Sequence, residues 1–295
     1  MLGEFAPAND VVCDLGESPV YDDRRNALWY CDIVRRLVIC HSLKDQTTRS
    51  YSFPSEVGSI GLAESGRVVV ALRHEVGLFD PDSRDFHRLA EIEPGRGAET
   101  RTNDGKVGAD GAFWVGTMDD REGVTKGPIA ALYRVTAAGA EKKVEGLIIS
   151  NGLAFSPDGK TMFHSDSRGK WIDRWAFDPS TGALSERHRL ADLDDHTGRP
   201  DGGATDAEGC YWSSGVSAAQ LNRFSPDGKL MASYPVPVGA PTMPCFAGPD
   251  LKTLFVTSLR TGRTPELLAK YPLTGTLIAA HVDVAGSPVT RFKDV

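Results

Sequence analysis

Four polar side chains recur at one phase of an otherwise apolar pattern: Glu17, Asn103, Asn151 and Asp201, each within two residues of a glycine. Two carboxylates and two carboxamides brought to a single point are costly to desolvate unless a positive charge sits among them. Their convergence would therefore specify a divalent cation. Oxygen donors with no Cys or His at that phase suit Ca²⁺, Mg²⁺ or Mn²⁺ by hardness, and Zn²⁺ or Fe²⁺ are also accepted where carboxylates dominate. A hairpin-turn role would account for any one of these residues, because Asp, Asn and Gly favour turns. It does not account for four in phase.

The element able to bring them together is a repeat. Six segments share a short apolar stretch, a polar turn with Asp or Gly, and a run rich in β-branched and aromatic residues: residues 18–32, 59–72, 104–118, 151–166, 201–215 and 245–258. Each reads as a β-hairpin, since turns such as Ser-Pro-Asp-Gly and Ala-Asp-Gly supply a positive-φ position and side-chain-to-backbone bonds. The centres of the second strands, Trp29, Val69, Trp114, Phe163, Trp212 and Phe255, lie 40 to 49 residues apart. Further strand-like runs fall between them (36–41, 76–79, 130–135, 171–177, 221–224 and 275–282), some followed by outer segments (48–53 and 86–91). About four antiparallel strands per unit, with almost no helical periodicity, predict an all-β, six-bladed β-propeller filling residues 1–295 as a single domain. A two-sheet sandwich would not produce such even spacing. Counting back 11 or 12 residues from the markers returns Glu17, Asn103, Asn151 and Asp201. These positions open the inner strands, where six backbones converge on one channel.

Composition narrows the function classes. The 295 residues are 40% hydrophobic and 25% charged, with 31 Gly and 18 Pro, which excludes a disordered, collagenous or coiled-coil chain. A formal charge of −7 without a block of Lys or Arg argues against a nucleic-acid partner. The longest apolar run is five residues, against about 20 for a membrane span, so no membrane partner is expected. With neither a basic n-region nor an apolar h-region at the start, a cytoplasmic location is expected by default. Five scattered cysteines without C-x-x-C predict reduced thiols rather than a disulfide framework or zinc cluster. There is no Gly-x-Ser-x-Gly elbow and no phosphate-binding loop. A monomer is the default for an acidic propeller of this size.

The stretches around the four residues carry a likeness. Leu15-Gly16-Glu17-Ser18-Pro19, Arg101-Thr102-Asn103-Asp104-Gly105-Lys106, Gly116-Thr117-Met118, Ser150-Asn151-Gly152-Leu153-Ala154, Pro200-Asp201-Gly202 and Cys245-Phe246-Ala247-Gly248-Pro249-Asp250 resemble the gluconolactonase, senescence marker protein and regucalcin family. The match runs in order from about residue 13 to 284. This resemblance implies a six-bladed propeller holding one divalent metal ion (Ca, Mg, Mn, Zn or Fe) and hydrolysing a small-molecule sugar lactone, aldonolactone to aldonic acid, in sugar catabolism. It implies metal ligands at Glu17, Asn151 and Asp201, substrate contacts at Arg101 and Asn103, and Asp201 as general base. One departure stands out. The animal members carry an acidic residue three positions past the Met of Gly-Thr-Met, which helps hold the sugar; here that position is Arg121, close to Asp119, Asp120 and Glu122. Asp119 and Arg121 are thus the candidate substrate contacts at this place, and the substrate is expected to differ.

The side-chain chemistry agrees with those roles. Arg101 offers a fork of donors for a lactone oxygen or a hydroxyl pair, and Asn103 both donates and accepts. The ion would polarise the carbonyl while Asp201 takes a proton from the attacking water. In the alternative, the ion activates the water and Asp201 only orients it. Asp104 reads as serving its own turn, and His164 as a satisfied core histidine. Two other functions are compatible with a propeller: a non-catalytic calcium-binding or interaction platform, and a phosphotriesterase-like hydrolase.

Overall fold

The computed structural model describes residues 2–295 and arranges them as six four-stranded antiparallel sheets. Every predicted hairpin forms the first two strands of one blade. The first strands are Gly16–Asp22, Val57–Leu62, Thr100–Val107, Ser150–Phe155, Pro200–Thr205 and Pro241–Ala247. Each packs against the first strands of both neighbouring blades, and the sixth returns to the first, so these strands line the axis of a six-bladed propeller. The ring is closed by hydrogen bonds. The N-terminal strand Ala6–Val12 pairs with Thr276–His281, Ala6 opposite Ala279, as the outermost strand of blade six. One short helix, Pro265–Lys270, sits in the long connection within that blade, its Thr264 hydroxyl accepting the Leu267 N–H.

The marker residues fill the space between sheets. Trp29, Val69, Trp114, Phe163, Trp212 and Phe255 are at most 4% exposed. Aromatic contacts run from blade to blade: Trp114 meets Phe155 at 6.4 Å, Phe163 stacks on Tyr211 at 4.9 Å, and Trp212 meets Phe246 at 5.7 Å. Truncating one such buried ring to alanine costs about 3–5 kcal/mol. The aromatic positions that mark the repeat in the sequence are thus also what holds successive blades together.

All six first strands break register near their start. In blades one, three, four, five and six, three residue steps on the first strand face two on its partner, for example Glu17 to Val20 against Cys31 to Trp29. In blade two the step is two against one, from Val57 to Ser59. One extra residue per strand is a β-bulge, which bends the strand and re-aims its side chains.

The opposite ends of these strands are covered by residues 285–294. This segment bonds in turn to Ala207, Thr205, Leu62 and Gly111, and Arg291 reaches Asp22 at 3.0 Å. Beneath it lies a cavity of about 260 Å³ lined by Val20, Leu62, Lys106, Phe155, Met243 and Val289 among others. Among the described residues no helix is long and apolar enough to cross a membrane. The five cysteines are free.

Candidate active site

The bulges bring four blades' polar side chains to one mouth of the channel. Glu17 and Asn151 are the last paired residues before the bulge, whereas Asn103 and Asp201 are the first residues inside it. The one-residue offset in sequence spacing is taken up there. Asn103 Nδ2 donates to Asn151 Oδ1 at 3.2 Å and to the Ser150 carbonyl at 2.9 Å. Asn151 Nδ2 in turn donates to Ser167 Oγ at 2.7 Å. The Asn151 amide lies beside Asp201 and eases its charge, and the Glu17 and Asp201 carboxylates feel each other directly.

Backbone strain accompanies the bulges. Ser18, immediately after Glu17, has φ 52°, and Gly152, immediately after Asn151, has φ 66°. At Gly152 a Cβ would lie 2.4 Å from both Ser165 Oγ and Tyr211 Oη, so only glycine fits. Ser18 carries the same conformation at a cost of order 1–3 kcal/mol. Its hydroxyl, bonded to both the N–H and the carbonyl of Ile60, holds it in place.

Electrostatics single out the same cluster. Burial, then the charges of Asp201 and Asp104, push Glu17 well above the ordinary carboxylate range. Burial, then Asp104, push Asp201 the same way. Among the described residues, Glu17 Oε2 accepts only the Ser18 N–H, at 2.9 Å. Two hard carboxylates that would rather be protonated, beside a carboxamide oxygen, make a donor set that fits a divalent cation. Arg101 lies alongside, its side chain 11% exposed. Its Nη1 donates to Asn103 Oδ1 at 3.1 Å and to the Thr102 carbonyl at 2.9 Å.

Asp104 corrects its sequence reading. It does not serve its own turn: its Oδ2 crosses to blade four and accepts the Leu153 N–H at 2.8 Å. Oδ1 is buried with no hydrogen-bond partner among the described residues. Burial raises its pKa and Lys106 pulls it back. Lys106 Nζ donates to the Gly203 carbonyl at 2.7 Å. Asp104 thus ties the bulge that carries Asn151 to the neighbouring strand. Asp-Gly reads as a turn signal in sequence, and nothing local marks the crossing.

Asp119 and Arg121 are placed differently from the four. Asp119 is fully buried, and both its oxygens are taken: Oδ1 by the Arg121 Nε and backbone N–H, Oδ2 by Arg121 Nη2 and the Gly127 N–H. Arg121 holds its carboxyl far below the usual range. The pair closes the loop around residues 119–127 at the rim. His164 is buried against Trp171, bonds Ser150 Oγ at 2.8 Å, and burial depresses its pKa to about 3. Asp206, Glu208 and Cys210 form another donor cluster. Its Asp206 is already spent on Trp212, Arg223 and two backbone N–H groups, and Arg223 also holds Glu208.

Six blades around one oxygen-lined mouth define an axial-site β-propeller. Residues 15–260 match the family described as SMP-30/Gluconolactonase/LRE-like region, and the chain belongs to that family, which marks it as an enzyme of the lactonase class. The 6-deoxy-6-sulfogluconolactonase of Pseudomonas putida is 38% identical, the alignment covering 94% of each chain. Regucalcin of Xenopus laevis is 30% identical over 88% of each. Among solved structures, a calcium-binding protein, regucalcin, from Agrobacterium tumefaciens superposes with a TM-score of 0.90 at 26% identity, covering 98% of this chain and 99% of that one.

Proposed function

We propose that the protein hydrolyses a sugar-acid lactone to the aldonic acid, with one divalent cation held by Glu17, Asn151 and Asp201. The observation that carries this reading is the meeting of the Glu17 and Asp201 carboxylates, from blades one and five, with Asn103, Asn151 and Arg101 at a single mouth. When bound, the ion supplies Lewis acidity for the lactone carbonyl and for the oxyanion that follows. Asp201 takes a proton from the attacking water and returns it to the ring oxygen as the ester C–O bond breaks, leaving a hydroxy acid. A positioned base of this kind typically contributes about 10²–10⁴ in rate. Arg101 presents its remaining N–H groups to a lactone oxygen or hydroxyl pair, and Asn103, held by Arg101 and Ser150, keeps an accepting lone pair for a hydroxyl. Of the expected pair at the rim, Arg121 alone is proposed as a substrate contact, because Asp119 is buried with both oxygens spent on Arg121 and the Gly127 N–H and acts only by holding Arg121 in place.

The choice of metal follows the donors: Ca²⁺, as in the calcium-binding Agrobacterium relative, with Mg²⁺, Mn²⁺, Zn²⁺ and Fe²⁺ compatible with the same oxygens. The test is acid release from a panel of pentono- and hexonolactones, including gluconolactone and 6-deoxy-6-sulfogluconolactone, after loading with each ion. We expect turnover of at least one aldonolactone and none of a phosphotriester control. No acid release from any aldonolactone with any ion would overturn the reading.

A further inference from the structure

A row of alternating charges runs from Glu56, just before the first strand of blade two, to the mouth. Glu56 holds Arg73, with Nε at 3.0 Å; Arg73 Nη2 holds Asp120 Oδ2 at 2.7 Å; and Asp120 Oδ1 lies 3.5 Å from Arg101 Nε. Arg73 also donates to the Thr100 carbonyl at 3.1 Å, and its own carbonyl accepts the Thr102 N–H, so it is anchored on both sides of Arg101. The contact between Asp120 and Arg101 is long for an ion pair whose cation is so deeply buried. A carboxylate free to move would close on the guanidinium as a two-point fork. It is kept from doing so because its other oxygen is already committed to Arg73.

We infer that Arg73 and Asp120 are positioning residues for Arg101. By competing for Asp120, Arg73 keeps the Nε and Nη2 edge of Arg101, the part not spent on Asn103 and Thr102, available to substrate. This rests on the lactonase reading above. Loss of Arg73 would let Asp120 collapse onto Arg101, and loss of Asp120 as well would release it again.

The inference predicts a reversal that mere structural damage would not give. Arg73→Met is expected to raise KM for the lactone about tenfold with kcat within about threefold of wild type, since a charge-assisted fork is withdrawn from substrate binding. Adding Asp120→Asn should bring KM back toward wild type, because the neutral amide no longer captures the guanidinium. Glu56→Gln, a milder change, should move KM in the same direction by less. An unchanged KM in Arg73→Met, or a double variant no better than the single, would overturn it. A second readout is independent of turnover. The Arg101 Nε–H resonance should shift in Arg73→Met and return in the double variant, even if the wild-type protein opens none of the lactones tested. An Arg101 resonance indifferent to both changes would contradict the inference.

Discussion

The same six strands build both mouths of the channel, yet the two ends differ in what their polar groups have left to give. At the far end, under residues 285–294, apolar side chains line much of the wall, and the Thr205 hydroxyl there is already paired with Phe155 and Ser287. At the near end, beyond the bulges, the buried Glu17 and Asp104 and the part-buried Asp201 are carboxylates with unspent oxygens and raised pKa values. Aspartates elsewhere, such as Asp119 and Asp206, are saturated by arginines and backbone N–H groups. Conserving capacity at one end costs stability there, whereas the far end is closed over by residues 285–294.

That contrast yields three substitutions of decreasing expected effect. Asp201→Asn should lower kcat by about 10²–10⁴ without lowering the Tm of the metal-free protein, because it removes one of two mutually repelling carboxylates. Steady-state kinetics beside a melting curve reads both. Phe292→Ala, at the far end, should cost about 3–5 kcal/mol of stability because Phe292 is wholly buried among Ala63, Val69 and Phe113. Its kcat/KM should stay near wild type; a large catalytic loss in the folded variant would break the separation of the two ends. Asp104→Asn should weaken divalent-ion affinity, because it takes a negative charge from beside Glu17 and Asp201 and loosens the bulge that carries Asn151, by about 10–100-fold, as outer groups of metal sites do, with the fold kept. Calorimetric titration of the metal-free protein measures it, and unchanged affinity would remove Asp104 from the near-end machinery.

The inner half of each blade was legible because Trp29, Trp114 and Trp212 sit in runs whose apolar character the core requires. The outer strands were less so. Ala6–Val12 is largely exposed and mixed in polarity, so no pattern of burial announces that it closes the ring. The helix at Pro265–Lys270 is too short for periodicity, although Thr264-Pro265-Glu266 is a helix-start signal. At the near end, the phase of Glu17, Asn103, Asn151 and Asp201 could be counted because the bulge recurs. The reach of Asp104 into blade four and of Arg73 to Asp120 could not, because each joins different blades without a local motif.

The most direct test is titration of metal-free protein with a divalent ion while following binding and melting together. Glu17 and Asp201 titrate above the ordinary carboxylate range in the folded chain, so without the ion their burial destabilises the fold increasingly as pH rises through their folded values. Ion binding, which needs both charged, should strengthen as pH rises over the same interval. One equivalent per chain, with a gain in Tm that grows with pH and vanishes in the Glu17→Gln, Asp201→Asn double variant, is the expected result. Binding that persists undiminished in that double variant, or no binding at all, would contradict the account.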